Sequence, residues 1–146
     1  MTIGFNHLGR HGRLGNQMFQ YAGLRGIAAH KGYDFAIPPS DFNDEWTDHQ
    51  LFEAFKLVGL TKIEQVPGPY VQEAHFHFDQ NLFDNMPDGH NVYAYLQSTK
   101  YFEHIEEEIR EDFEFKNDIH LPCKEMMDTL KDPIALHVRR GDYIQN

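Results

Sequence analysis

The sequence predicts an α/β fold in which a parallel sheet is wound between helices. Three observations carry that prediction. Short β-compatible runs alternate with helical patterns along the chain, and this order sets parallel strands side by side with helices crossing between them. A glycine-punctuated loop follows the first strand run and opens the first helix, at the end of the sheet where ligands bind in folds of this kind. The chain has 146 residues, 40% of them hydrophobic and 14% aromatic, enough for a packed core without disulfide support.

The elements follow in order. Residues 2–7 are apolar at Ile3 and Phe5 and read as a strand. Asn16 is a suitable N-cap for a helix over residues 17–31, with Met18, Tyr21, Ala22, Arg25, Ala28 and Ala29 at helical spacing. Gly32 supplies its stop. Residues 33–37 form a strand ended by Pro38-Pro39, and residues 50–58 a short helix carrying Leu51, Phe52, Phe55, Leu57 and Val58. Residues 70–78 and 91–97 read as strands, with a turn at Gly89 between them. Ser98 or Thr99 caps a helix running to about Phe113. Tyr101, Phe102, Ile105, Ile109 and Phe113 form its buried stripe, and Glu103, Glu106, Glu107, Glu108, Arg110 and Glu111 its wet face. Residues 124–130 make a further short helix. Residues 133–139 make a last strand, with Ile134, Leu136 and Val138 on one face and Ala135, His137 and Arg139 on the other.

Composition excludes several classes of function. A formal net charge of −10 argues against nucleic acid or an anionic membrane as the main partner, since both need a broad basic surface. Cys123 is the single cysteine, cannot pair within the chain, and reads as a buried, inert thiol. Residues 1–7 lack the basic and apolar regions of a signal peptide, and no stretch approaches the roughly 18 apolar residues of a membrane span. The expectation is a cytoplasmic protein, with peripheral attachment to a membrane left open.

Against this acidic background the arginines are informative. Four of the six fall in two motifs, Gly9-Arg10-His11-Gly12-Arg13-Leu14-Gly15-Asn16-Gln17 and His137-Val138-Arg139-Arg140-Gly141-Asp142. Guanidinium grips phosphate or carboxylate through two parallel hydrogen bonds, so the pair of motifs reads as two halves of an anion site. In the first, the glycines admit backbone amides to a ligand and the helix start supplies unpaired N–H groups. Its spacing is neither the dinucleotide fingerprint nor a P-loop, and a glycine-rich turn before a capped helix explains it equally well. In the second, Asp142 can hold an arginine in place; the plainer alternative is a surface Arg–Asp pair of small energetic worth. His75, His77 and Asp79 share one face of a predicted strand, but no fourth ligand stands at metal-site spacing. No Asp-x-Asp is present to hold a divalent ion against a diphosphate.

Taken together, three segments carry a resemblance. Gly15-Asn16-Gln17-Met18-Phe19-Gln20-Tyr21-Ala22, Tyr95-Leu96-Gln97-Ser98-Thr99-Lys100-Tyr101-Phe102 and His137-Val138-Arg139-Arg140-Gly141-Asp142-Tyr143 occur in the order found in the α-1,2-fucosyltransferases of glycosyltransferase family 11. That family implies a GT-B fold of two Rossmann-like domains. It implies transfer of L-fucose from GDP-fucose to the 2-hydroxyl of a galactose-terminated acceptor, with inversion, without metal and without a cofactor. Residues 1–132 would be the amino-terminal, acceptor-side domain, and residues 133–146 the first strand and donor motif of a second domain. Carried over, Arg139 contacts the diphosphate and Asn16 lies near the reacting centre. Gly15, Gln17 and Arg13 shape the first loop, and His137, Arg140 and Asp142 shape the donor pocket. Family members continue well beyond this point, so the chain is expected to need a carboxyl-terminal domain or a complementing chain, and to be inactive alone. Two other classes stay open: a non-catalytic carbohydrate- or nucleotide-binding module, and a phosphate-ester enzyme using Arg139 and Arg140. The acceptor glycan, the exact linkage, the general base and the oligomeric state are not read from the sequence.

Overall fold

A computed structural model describes residues 1–40 and 48–138. They fall in two compact units, Met1–Lys116 and Asn117–Asn146.

The first unit is the α/β fold that the alternation predicts. Its elements are β1 (Thr2–Gly4), α1 (Leu14–Lys31), β2 (Asp34–Ile37), α2 (Leu51–Ala54), β3 (Lys62–Ile63), β4 (Tyr70–Gln72), α3 (Gln80–Asn85), β5 (Asn91–Tyr93) and α4 (Glu106–Asp112). The five strands form one parallel sheet in the order β3-β2-β1-β5-β4. The chain leaves β1 towards β2 and β3 on one side, then crosses to β4 and β5 on the other. The carboxyl end of central β1 is therefore a topological switch point, where a crevice opens between diverging loops.

The core is apolar and aromatic. Ile3 and Phe5, Phe35 and Ile37, and Val92 bury with Tyr21, Leu24 and Ile27 from one face of α1. Helix α1 lies unusually close to the chain that follows β5. A Cβ at Gly26 would stand 1.9 Å from the Tyr101 carbonyl oxygen, and one at Gly23 would stand 2.7 Å from Leu96. The helix ends at Gly32, whose φ of 68° lets its N–H reach back to the Ala28 and Ala29 carbonyls, the stop expected from the sequence.

Several elements differ from expectation, each for a tertiary reason. Helix α1 begins at Leu14, with Arg13 in the cap position, so Asn16 is not the N-cap. The Leu14 N–H instead donates to Oε1 of Gln50, a partner supplied from another loop. The strand runs over residues 70–78 and 91–97 are paired only at Tyr70–Gln72 and Asn91–Tyr93. Beyond them Leu96 turns the chain at φ 53°. Strand β3 and helix α3 were not expected. Asp79 caps α3 by accepting from the Leu82 N–H, and its other oxygen accepts from Ala74, so His75, His77 and Asp79 do not share a strand face. The helix expected to run from residue 99 is two 3-10 turns followed by α4, because the segment is pinned where it crosses Gly26. Its burial follows the predicted stripe at Tyr101, Ile105 and Ile109, and the named glutamates are exposed. Asp112, on the same helix, is fully buried. It accepts from the Tyr21 hydroxyl at 2.7 Å and the Gly59 N–H at 2.6 Å, and pairs with Arg25. That pairing places Arg25 on the buried side of α1 despite its charge.

The second unit contains α5 (Asn117–Asp128), longer than the helix expected over residues 124–130 and without a buried residue. Cys123 lies on it and is exposed, which corrects the buried thiol read from the sequence. The strand expected over residues 133–139 is absent from its described part, residues 133–138. Ile134 and Leu136 are 95% and 87% exposed. A strand persists only where a neighbour exchanges backbone hydrogen bonds with it, and no second strand lies within residues 117–138.

Candidate functional site

The glycine loop at the switch point is held by a side-chain amide latch. Gly9 and Gly12 take φ of 89° and 96°, conformations that let the loop double back at the carboxyl end of β1. Gln17, wholly buried, donates from Nε2 to the carbonyls of Asp48 at 2.6 Å and Gly12 at 3.4 Å, and accepts at Oε1 from the Gln50 N–H at 2.9 Å. Gln20 donates to the His11 carbonyl at 2.9 Å. The Asp48 N–H donates to the Gly9 carbonyl. A loop rich in glycine is thus fixed by two glutamines reaching out of the helix it precedes.

The sequence-predicted residues of this motif occupy different roles. Gly15 faces open space at the helix start. Asn16 accepts at Oδ1 from Nε2 of Gln97 at 2.8 Å, which ties the helix start to the segment after β5. Arg13 is exposed at the cap position and Arg10 is half-buried. His137 is exposed, whereas Arg139, Arg140 and Asp142 lie outside the described residues. Within the described part, the structure brings Gly15, Asn16, Gln17 and Arg13 together at one helix start.

Beside this loop, the ends of β4 and β5 frame a cleft of about 270 Å³ that the sequence reading passed over. His11 from the glycine loop, Glu73 and Phe76 after β4, and Tyr93 and Tyr95 at and after β5 line it. The rings form a continuous wall. His11 meets Tyr93 edge-on at 4.9 Å and Tyr95 at 6.2 Å, and Tyr95 meets Phe76 at 5.8 Å. His7 stacks on Tyr70 at 4.7 Å behind them. Glu73 anchors the wall: Oε2 accepts from the Tyr95 and Leu96 N–H groups, and Oε1 accepts from the Tyr101 hydroxyl at 2.9 Å. Burial, reinforced by the Glu73 carboxylate, pushes the Tyr101 phenol well above its ordinary pKa, although the Asp79 N–H donates to it. Tyr101 therefore stays a proton donor to Glu73. The available sequence signal was the clustering of His75, Phe76, Tyr93 and Tyr95 within two predicted strands.

Among the described residues no group of three or more His, Cys, Asp or Glu side chains could hold a metal ion. His75 and His77 stack on each other at 3.5 Å, and His75 bonds the His77 carbonyl. No described helix is long and apolar enough to cross a membrane.

Comparison with known proteins places this chain in a family. The family model described as "Glycosyl transferase family 11" matches residues 2–146. The chain is similar to the galactoside alpha-(1,2)-fucosyltransferase 2 of Sus scrofa, at 24% identity over 144 residues. That match covers 91% of this chain and 40% of the relative's length. No solved structure matches the chain significantly.

Proposed function

From the premise that the chain belongs to glycosyl transferase family 11, we propose that it is the amino-terminal part of an inverting fucosyltransferase. The enzyme would transfer L-fucose from GDP-fucose to the 2-hydroxyl of a galactoside. The observation that carries this reading is the family match from residue 2 to residue 146, which spans both the glycine loop and the His137 to Asp142 segment.

In this reading residues 1–132 form the acceptor-side domain, and residues 133–146 open the donor-side domain of a GT-B enzyme. The bond between fucose C1 and the β-phosphate oxygen breaks, and its electron pair stays on GDP. The acceptor O2 bonds to C1 from the opposite face and its proton passes to a base. Charge grows on the leaving diphosphate as the sugar becomes oxocarbenium-like. A fixed guanidinium from Arg139 stabilises that charge more in the transition state than in the ground state, so no metal or cofactor is needed. Arg140, Asp142 and His137 would shape the nucleotide pocket. Arg13 and the amides at Gly15 and Asn16 would face the reacting centre from a helix start, where partial positive charge favours an anion.

The test is fucose transfer from GDP-fucose to a galactoside by the chain extended with the coding sequence that follows Asn146, compared with the 146-residue chain. Transfer by the extended chain only is expected. Arg139→Ala should abolish it, and Arg139→Lys should lower it by about 100-fold or more, because an ammonium lacks the planar two-point grip. Near-normal turnover in either variant removes Arg139 from the mechanism. Absence of transfer by the extended wild-type chain removes the reading.

A further inference from the structure

The cleft beside the glycine loop has no part in the donor reading, yet its chemistry is specific. Its volume of about 270 Å³ falls below the roughly 300–1,000 Å³ of sites for drug-sized ligands, so it suits a single ring rather than a nucleotide. No Lys or Arg lines it and the acidic residue Glu73 does, so it disfavours phosphate. Phe76 is 74% exposed at its rim, an aromatic face left in water beside Tyr95. Aromatic faces carry negative potential and meet the weakly positive C–H face of a sugar ring. Glu73 accepts three hydrogen bonds, two at Oε2 and one at Oε1, of the roughly four that a carboxylate can take. By that count Oε1 keeps one acceptor position without a partner among the described residues.

We propose that this cleft binds a neutral pyranose ring, stacked on Phe76 and Tyr95 and hydrogen-bonded through a hydroxyl to Glu73. The inference rests on the glycosyl-transfer reading, in which that ring is the acceptor galactoside. The placement is consistent with it. His11 belongs to both the glycine loop and the cleft wall, and the Gln97–Asn16 hydrogen bond joins the segment after Tyr95 to the helix start. An acceptor seated here would lie next to the loop to which the donor reading assigns the reacting centre.

The test is a titration of the 146-residue chain with methyl β-galactopyranoside, followed by NMR shifts of backbone amides and aromatic rings. Saturable shifts at residues 73–76 and 93–95 are expected, with a dissociation constant on the order of millimolar, as befits one ring on an open site. Phe76→Ala should weaken binding about five- to tenfold while leaving the thermal midpoint unchanged, because its ring is mostly exposed. No saturable shift in the cleft, or unchanged affinity in Phe76→Ala, overturns the site. Fucose transfer by the extended chain is scored separately. Transfer without sugar binding in the cleft removes this site alone. Sugar binding in the cleft, with no transfer by the extended chain, removes the transfer reading and keeps the site.

Discussion

At the scale of single residues, the site depends on polar side chains whose partners are distant in sequence. Gln17 joins the glycine loop to the Asp48 carbonyl, 31 positions beyond it, through one amide, and nothing in a local pattern distinguishes it from an ordinary helical glutamine. Asp112 reads as the end of an acidic run, yet it is the buried partner of Arg25 and Tyr21. His49 adjoins the same latch. It is buried against Phe52, neither ring nitrogen has a hydrogen-bond partner among the described residues, and burial holds its pKa below the ordinary value. The unfolded chain therefore binds more proton than the folded one between the lowered folded value and about 6.5. The stability that follows from keeping this ring neutral is complete above about pH 6.5 and is lost as pH falls through the folded value. His49→Phe should therefore lose less of its thermal midpoint than the wild type between about pH 7 and about pH 5. Parallel melting curves at the two pH values check this, and equal losses would exclude His49 as the acid-sensitive group.

At the scale of elements, glycine positions decide more than propensity does. Gly26 exists to let α1 touch the Tyr101 backbone, whereas Gly15 meets nothing. Gly26→Ala should cost about 2–3 kcal/mol or more, since a carbonyl oxygen cannot move aside as a flexible side chain can. Gly15→Ala should leave stability unchanged or raise it by up to about 1 kcal/mol, by removing glycine's backbone entropy. Urea unfolding of the two variants makes the comparison, and similar losses at both positions would contradict this packing. The element types were legible wherever periodicity and punctuation agreed, as in α1 with its Gly32 stop and in β2 before Pro38-Pro39. Several other boundaries were not legible. Leu14 is capped by Gln50, the strands stop where pairing stops, and the helix after Thr99 is broken by its crossing of Gly26.

At the scale of the whole molecule, the two units differ in how much they bury. The first holds the aromatic core, whereas α5 buries none of its residues. A helix of 12 residues without tertiary burial is marginal in water, so amides of residues 117–130 should exchange with solvent orders of magnitude faster than those of Leu24 to Ala28. Hydrogen exchange of the 146-residue chain measures this, and equal protection would show that α5 is packed in solution. The match spans 40% of the length of the fucosyltransferase to which the chain is similar. By itself the sequence determined the α/β class, the parallel sense of the sheet, the glycine loop at a helix start and the family motifs, because alternation, glycine placement and ordered local signatures are properties of short stretches of chain. Only the tertiary structure decided that Gln17 latches the loop, that Asp112 is buried with Arg25, and that His11, Glu73, Phe76 and Tyr95 meet in one cleft. Those groups come from separate strand ends, and their meeting is set by sheet order and register, which no local pattern records.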